Sequence, residues 1–141
     1  MRIFIVIAVL SFLLASCQTQ ETAALQTAQS VMELSDNINP SIYKSSWKTT
    51  QAQWKETLRT TTDEKVVAKQ LMELSKQINQ DEMTGRWDNV KFEWEEELAK
   101  AKTKNQVRYL VIEFEEYLNP VMKKNWEQDR ELWFETIDRL R

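Results

Sequence analysis

Histidine is missing from this chain. That removes the commonest general base, the side chain that titrates near neutral pH and the commonest metal ligand together. Glycine occurs once and proline twice in 141 residues. All-β and α/β folds need Gly and Pro for tight turns and βα loops, so their scarcity argues for helices with short joints. Cysteine occurs once, as Cys17, so no disulfide can form within the chain. Neither a Gly-rich phosphate loop nor a Ca²⁺-loop pattern occurs. Nucleophilic catalysis would have to pair Ser with Lys or rely on carboxylates. Among the few serines, Ser35, Ser41, Ser45, Ser46 and Ser75 sit in ordinary helix or cap positions.

What is present begins with the first 17 residues, MRIFIVIAVLSFLLASC. A single basic residue, Arg2, precedes an apolar run from Ile3 to Leu14. That run is short for a membrane span, which takes about 20 residues, and has the size of a signal-peptide core. The ending Leu14-Ala15-Ser16-Cys17 resembles the lipobox of bacterial lipoproteins. The resemblance covers residues 1–17. It implies a signal peptide over 1–16, cleavage before Cys17, and lipid on its sulfur and new N-terminus. An ordinary signal peptide, or a short anchor with an incidental Cys, is the alternative. Gln18 follows the Cys, and by the sorting rule of enteric lipoproteins a residue other than Asp there implies the outer membrane, facing the periplasm. Residues 17–22 are then a short tether. Without Arg2, 18 basic residues stand against 22 acidic ones, a net charge of −4. That is a poor footprint for nucleic acid, which calls for a basic face.

The rest of the chain repeats. Trp47 and Trp54 are followed by Leu58, Trp87 and Trp94 by Leu98, and Trp126 and Trp133 by Ile137. Upstream of the pairs lie VMELSDNIN from Val31, LMELSKQIN from Leu71 and VIEFEEYLN from Val111, starting every 40 residues. Three tandem copies therefore account for all six Trp, and a period of this size marks a repeated supersecondary unit. In each unit a first helix carries an apolar stripe: Val31, Leu34 and Ile38, or Val67, Leu71, Leu74 and Ile78, or Val107, Val111, Phe114 and Leu118. Asn39, Asn79 and Asn119 end these helices, two of them directly before Pro40 and Pro120. Asn as N-cap and Pro at the first position predict that the second helix of each unit starts there, with Asn79 and Glu82 as a capping box. Thr61 with Glu64, and Thr103 with Gln106, have capping-box spacing at the joints between units. The expected fold is all-α: three tandem helix-turn-helix repeats of about 40 residues, six helices in a bundle or short solenoid. It forms a single domain over 23–141, with units of about 23–60, 62–100 and 103–141 joined by turns of roughly two to six residues.

A buried Trp removes ~150–250 Å² from water, roughly 4–6 kcal/mol as an upper bound. Against a domain stability of about 5–15 kcal/mol, that makes Trp47, Trp54, Trp87, Trp94, Trp126 and Trp133 the structural core. In an array the middle unit has neighbours on both sides, so its Trp should matter most. Glu33, Glu73 and Glu113, and Glu56, Glu96 and Glu135, recur once per unit. That regularity suits charges pairing between helices better than a single catalytic centre. Only the first unit has a basic stripe, Lys44, Lys48, Lys55 and Arg59, each one residue after the aromatic stripe. It is the candidate membrane-facing surface, at the unit nearest the lipid.

These features point to a non-catalytic, lipid-anchored cell-envelope protein, with a membrane and an envelope protein as partners and neither metal nor cofactor. It would act as a helical scaffold or interaction module. The alternative is a carrier of an apolar ligand between Trp-bearing helices. The mature domain loosely resembles small Trp-rich helical envelope lipoproteins, a likeness that assigns no site.

Overall fold

The computed structural model describes residues 23–139. Residues 23–36 are helical (α1), followed by α2 (Trp47–Thr60), α3 (Glu64–Lys76), α4 (Trp87–Lys100), α5 (Lys104–Leu118) and α6 (Trp126–Asp138). No strand occurs among the described residues; two isolated antiparallel bridges join Ile38 to Met122 and Tyr43 to Ile78. The fold is all-α, six helices packed on one another as a bundle.

Local signals start the first helix of each unit. The Thr103 hydroxyl accepts from the Gln106 amide while the Gln106 side chain accepts from the Thr103 amide, the reciprocal capping box that the spacing predicts. At the preceding joint the cap is displaced. Asp63, not Thr61, caps α3 by accepting from the Lys65 amide, and Thr61 accepts from the Asp63 amide one step earlier. A carboxylate next to the first turn is the stronger cap there, since it also opposes the helix dipole.

The second helices begin later than expected. Asn39 and Asn79 cap single 3-10 turns, Pro40–Ile42 and Gln80–Glu82, and Asn119–Val121 forms the third. Glu82 therefore ends a 3-10 turn and completes no capping box. Each α-helix starts at the first Trp of its pair. Tyr43, Met83, Met122 and Lys44 consequently lie in extended turn backbone rather than on a helix. Pro at the start of the turn is compatible with either outcome; the turn wins because its end is fixed to a neighbouring unit.

Those fixing bonds recur. The Lys44 amide donates to Gln77 O (2.8 Å), the Thr84 amide to Tyr117 O (3.0 Å), and the Lys123 amide to Asn37 O (2.7 Å). Positions 44, 84 and 123 match in the three units, as do 77, 117 and 37. The second Trp of each pair repeats the relation: Trp54 Nε1 donates to Gln70 O (2.8 Å), Trp94 Nε1 to Leu110 O (3.0 Å) and Trp133 Nε1 to Ser30 O (2.9 Å). Unit one bonds to unit two, two to three, and three back to one. The units thus close into a ring, so of the two packings expected the closed bundle is realised rather than an open solenoid. The middle unit consequently has no more neighbours than the others, contrary to the expectation for an array. Burial agrees: Trp87 and Trp94 are 0 and 2% exposed, Trp126 and Trp133 1 and 2%, and only Trp47 and Trp54 reach 6%.

Because helices alternate in direction, the bundle has two distinct ends. The turns over 37–46, 77–86 and 119–125 meet at one end through the amide bonds above. The start of α1, the connectors 61–63 and 101–103, and the end of α6 lie at the other.

Candidate functional site

The six Trp, expected as the structural core, are all buried. Within each unit the two Trp rings meet edge to face, with centroids 5.4, 6.0 and 5.9 Å apart. Phe114 packs edge-on against Trp87 at 5.0 Å, and Tyr43 stacks on Trp47 at 4.8 Å. Such pairs fill the interior with ring against ring. The second Trp of every pair also spends its N–H on the backbone of the next unit.

The first Trp of each pair differs from unit to unit. Trp126 Nε1 donates to Glu115 Oε1 (2.8 Å), and Arg130 Nε donates to both Glu115 oxygens at 2.9 and 3.0 Å. Glu115 is fully buried. The matching positions in the other units are Ser35 and Ser75, whose hydroxyls donate to the carbonyls of Met32 and Met72. With Ser75 so engaged, Trp87 Nε1 is buried without a hydrogen-bond partner. A second buried charge pair, Arg108 with Glu64 (2.8 Å), joins the first turns of α5 and α3. Sequence reasoning missed both. The available signal was a break in the repeat: Arg108 stands where Ala28 and Ala68 stand, and Glu115 stands where two serines do.

Four of the six recurrent glutamates make ordinary surface ion pairs, along their own helices rather than between helices. Glu73 binds Lys76, Glu96 binds Lys100 and Glu135 binds Arg139, while Glu56 lies 3.9 Å from Arg59. The Lys100 hydrogen bond and charge hold the Glu96 carboxyl below its ordinary range. Glu113 differs. Partial burial, then the charges of Glu97 and Glu116, push its carboxyl above the ordinary range. The neighbouring Tyr117 hydroxyl is raised by burial and by Glu113. No group of three His, Cys, Asp or Glu side chains among the described residues is placed to hold a metal ion.

The basic stripe is divided in the structure. Lys44 lies outside α2, and its Nζ donates to Lys76 O at the C-terminus of α3 (3.0 Å). Lys123, the matching residue of unit three, similarly reaches Asp36 O at the end of α1. Cations there complement the helix dipole. Lys55 pairs with Asp36 (2.8 Å). Only Lys48 and Arg59 keep exposed charges directed outward along α2. The four residues thus form no continuous helical face.

Open surface features remain. A groove of about 520 Å³ between α4 and α5 is walled by Glu97, Lys100, Asn105 and Tyr109, with Leu110 among its lining residues. Tyr109 (62%), Phe92 (68%) and Leu132 (62%) are the most exposed large apolar side chains. No described helix is long and apolar enough to cross a membrane. Cys17, the expected lipidation site, lies outside the described residues. No protein-family model, curated protein or solved structure matches the chain.

Proposed function

We propose that this chain is a lipid-anchored cell-envelope protein, exported by its first 16 residues and held to the membrane through Cys17. Its work is interaction rather than catalysis. The lipobox-like LASC sequence supports the anchor. One observation supports the interaction role: every Trp is consumed by packing, and the side chains left outside are isolated aromatic and aliphatic residues on α4, α5 and α6. An apolar-ligand carrier would need the Trp pairs to line an open interior, whereas here the rings of each pair pack edge to face and are at most 6% exposed. A scaffold with contact residues on its outer surface needs no such space.

Two experiments test this reading. Cys17→Ala should abolish incorporation of labelled palmitate in growing bacteria and release the chain from the membrane fraction; unchanged label and fractionation would remove the anchor. A photocrosslinking amino acid at Phe92 or Tyr109 should give a discrete adduct with one envelope protein in intact cells. Adducts of the same size and intensity from a control site at Lys48 would remove the interaction role.

A further inference from the structure

The chain reaches the bundle at one end only. Residue 23, the connectors 61–63 and 101–103, and the last turn of α6 share that end, opposite the three bonded turns. Six residues separate Cys17 from Ala23, a reach of at most about 21 Å when extended. A bilayer holding lipid on Cys17 therefore lies within that reach of residue 23.

The chemistry of that end suits a layer of phosphates. Arg59, Lys65, Lys100, Lys102, Lys104 and Arg139 lie on its terminal turns or connectors. Arg59, Lys100 and Arg139 are near carboxylates one turn inward, in exposed pairs that a competing anion exchanges at little cost. Lys102 and Lys104 have no carboxylate partner among the described residues. They border a cleft of about 330 Å³ between the two connectors, with Lys65 on the opposite wall. The Lys65 ammonium is drawn to Ala99 O (3.1 Å), which holds the walls together. Of the two carboxylates in this cleft, Glu64 is paired with Arg108 and Asp63 caps α3 by accepting from the Lys65 amide, while Glu97 and Asp138 lie on terminal turns of the same end. A side-on approach is less favourable for two of the three Trp-bearing helices. Helix α4 carries five carboxylates against two lysines, and α6 five against one arginine.

We infer that the bundle stands end-on to its membrane, with Lys65, Lys102 and Lys104 seated among anionic phospholipid headgroups. This orientation rests on the lipid anchor proposed above. It replaces the side of α2 by the end of the bundle as the membrane-facing surface, because Lys44 lies off α2 at the opposite end and Lys55 is paired with Asp36. The anchored protein is strongly constrained to its surface, so a few lysines suffice to select one orientation.

The test uses the full protein purified from bacterial membranes and reconstituted in vesicles of phosphatidylcholine, with and without phosphatidylglycerol. Palmitate on Cys17 is verified by mass spectrometry. Each lysine is then labelled with a water-soluble amine reagent. On anionic vesicles at low salt, labelling of Lys65, Lys102 and Lys104 should fall about fivefold relative to neutral vesicles, while Lys48, Lys91 and Lys124 should not change. High salt should erase the difference. Equal labelling on both vesicles, with palmitate present, overturns the orientation and leaves the anchor standing. Protection of Lys48 in place of the connector lysines overturns it in favour of a side-on arrangement. Absence of palmitate together with loss from the vesicles overturns both.

Discussion

Trp126 and Trp87 occupy the same place in two units, yet one N–H meets a buried carboxylate and the other meets no acceptor. A buried unsatisfied donor costs about 1–3 kcal/mol, so the two positions differ in what they contribute despite equal burial. Glu115 is therefore the acceptor on which two side chains of the third unit depend. Glu115→Ala leaves both Trp126 and Arg130 without their acceptor and should cost about 3–5 kcal/mol in urea unfolding; a loss below ~1 kcal/mol would show that water replaces the carboxylate. Glu115→Ser, the residue of the other two units, should cost less. Glu113 acts in the opposite sense. Its carboxyl is raised in the folded state, so the folded protein holds that proton more tightly than the unfolded chain does. The resulting stability is present at low pH and lost as pH rises through the raised value. Glu113→Gln should thus stabilise the protein at neutral pH by ~0.2–0.5 kcal/mol, the scale of one like-charge pair, and do nothing below about pH 4. Equal effects at both pH values would contradict it. Sequence could not reveal these pairs from residue type alone, since an internal Glu reads as surface until its unit is aligned with its siblings.

At the scale of elements, the apolar stripes were legible and the joints were only partly so. Val67, Leu71, Leu74 and Ile78 read as one buried helical face, and all four are buried. The Thr103–Gln106 box also formed as its spacing indicates. The starts of α2, α4 and α6 did not follow Asn and Pro, because a 3-10 turn satisfies the same local preferences. The choice between turn and helix is made by amide bonds to residues 33 or more positions away, which no local pattern carries. The single glycine marks one such place: Gly85 and Arg86 both have positive φ (67° and 50°) before α4. Gly85→Ala should destabilise by roughly 1 kcal/mol through backbone strain, since its added Cβ would meet nothing within 4 Å. A stabilising effect would mean that the turn relaxes freely. Lys44 illustrates the same limit. Its spacing placed it in a helical stripe, whereas its ammonium caps α3 in the next unit.

For the whole molecule, the period of 40 and its six Trp foretold three equivalent units, but periodicity is silent about whether the last unit meets the first. Trp133 bonding Ser30 decides it, across 103 residues. Two consequences are measurable. Trp94→Ala and Trp133→Ala should each cost about 3–5 kcal/mol, with similar losses in the middle and last units. In an open array the terminal unit would be markedly cheaper, so a Trp133 loss under half the Trp94 loss would argue against closure. Second, the ends of the ring lie together. Joining residue 139 to residue 23 through a short polar linker, and opening the chain between Thr61 and Thr62, should give a cooperative helical protein within about 1–2 kcal/mol of the parent. A molten product lacking a single unfolding transition would exclude this.

The forward reach of the second Trp in each pair also bears on how such a molecule can arise. A unit whose second Trp and turn amide donate to the next unit is incomplete alone yet closes after three steps. Three separate hairpins of one sequence could form the same ring as a trimer, dependent on the third power of their concentration. Fusion into one chain replaces that dependence with a high local concentration set by the connectors. Once the copies are tied together, each is free to diverge without spoiling a symmetric interface. Arg108 stands in one copy only and binds Glu64 across a single seam, where a ring of identical subunits would repeat the pair at all three.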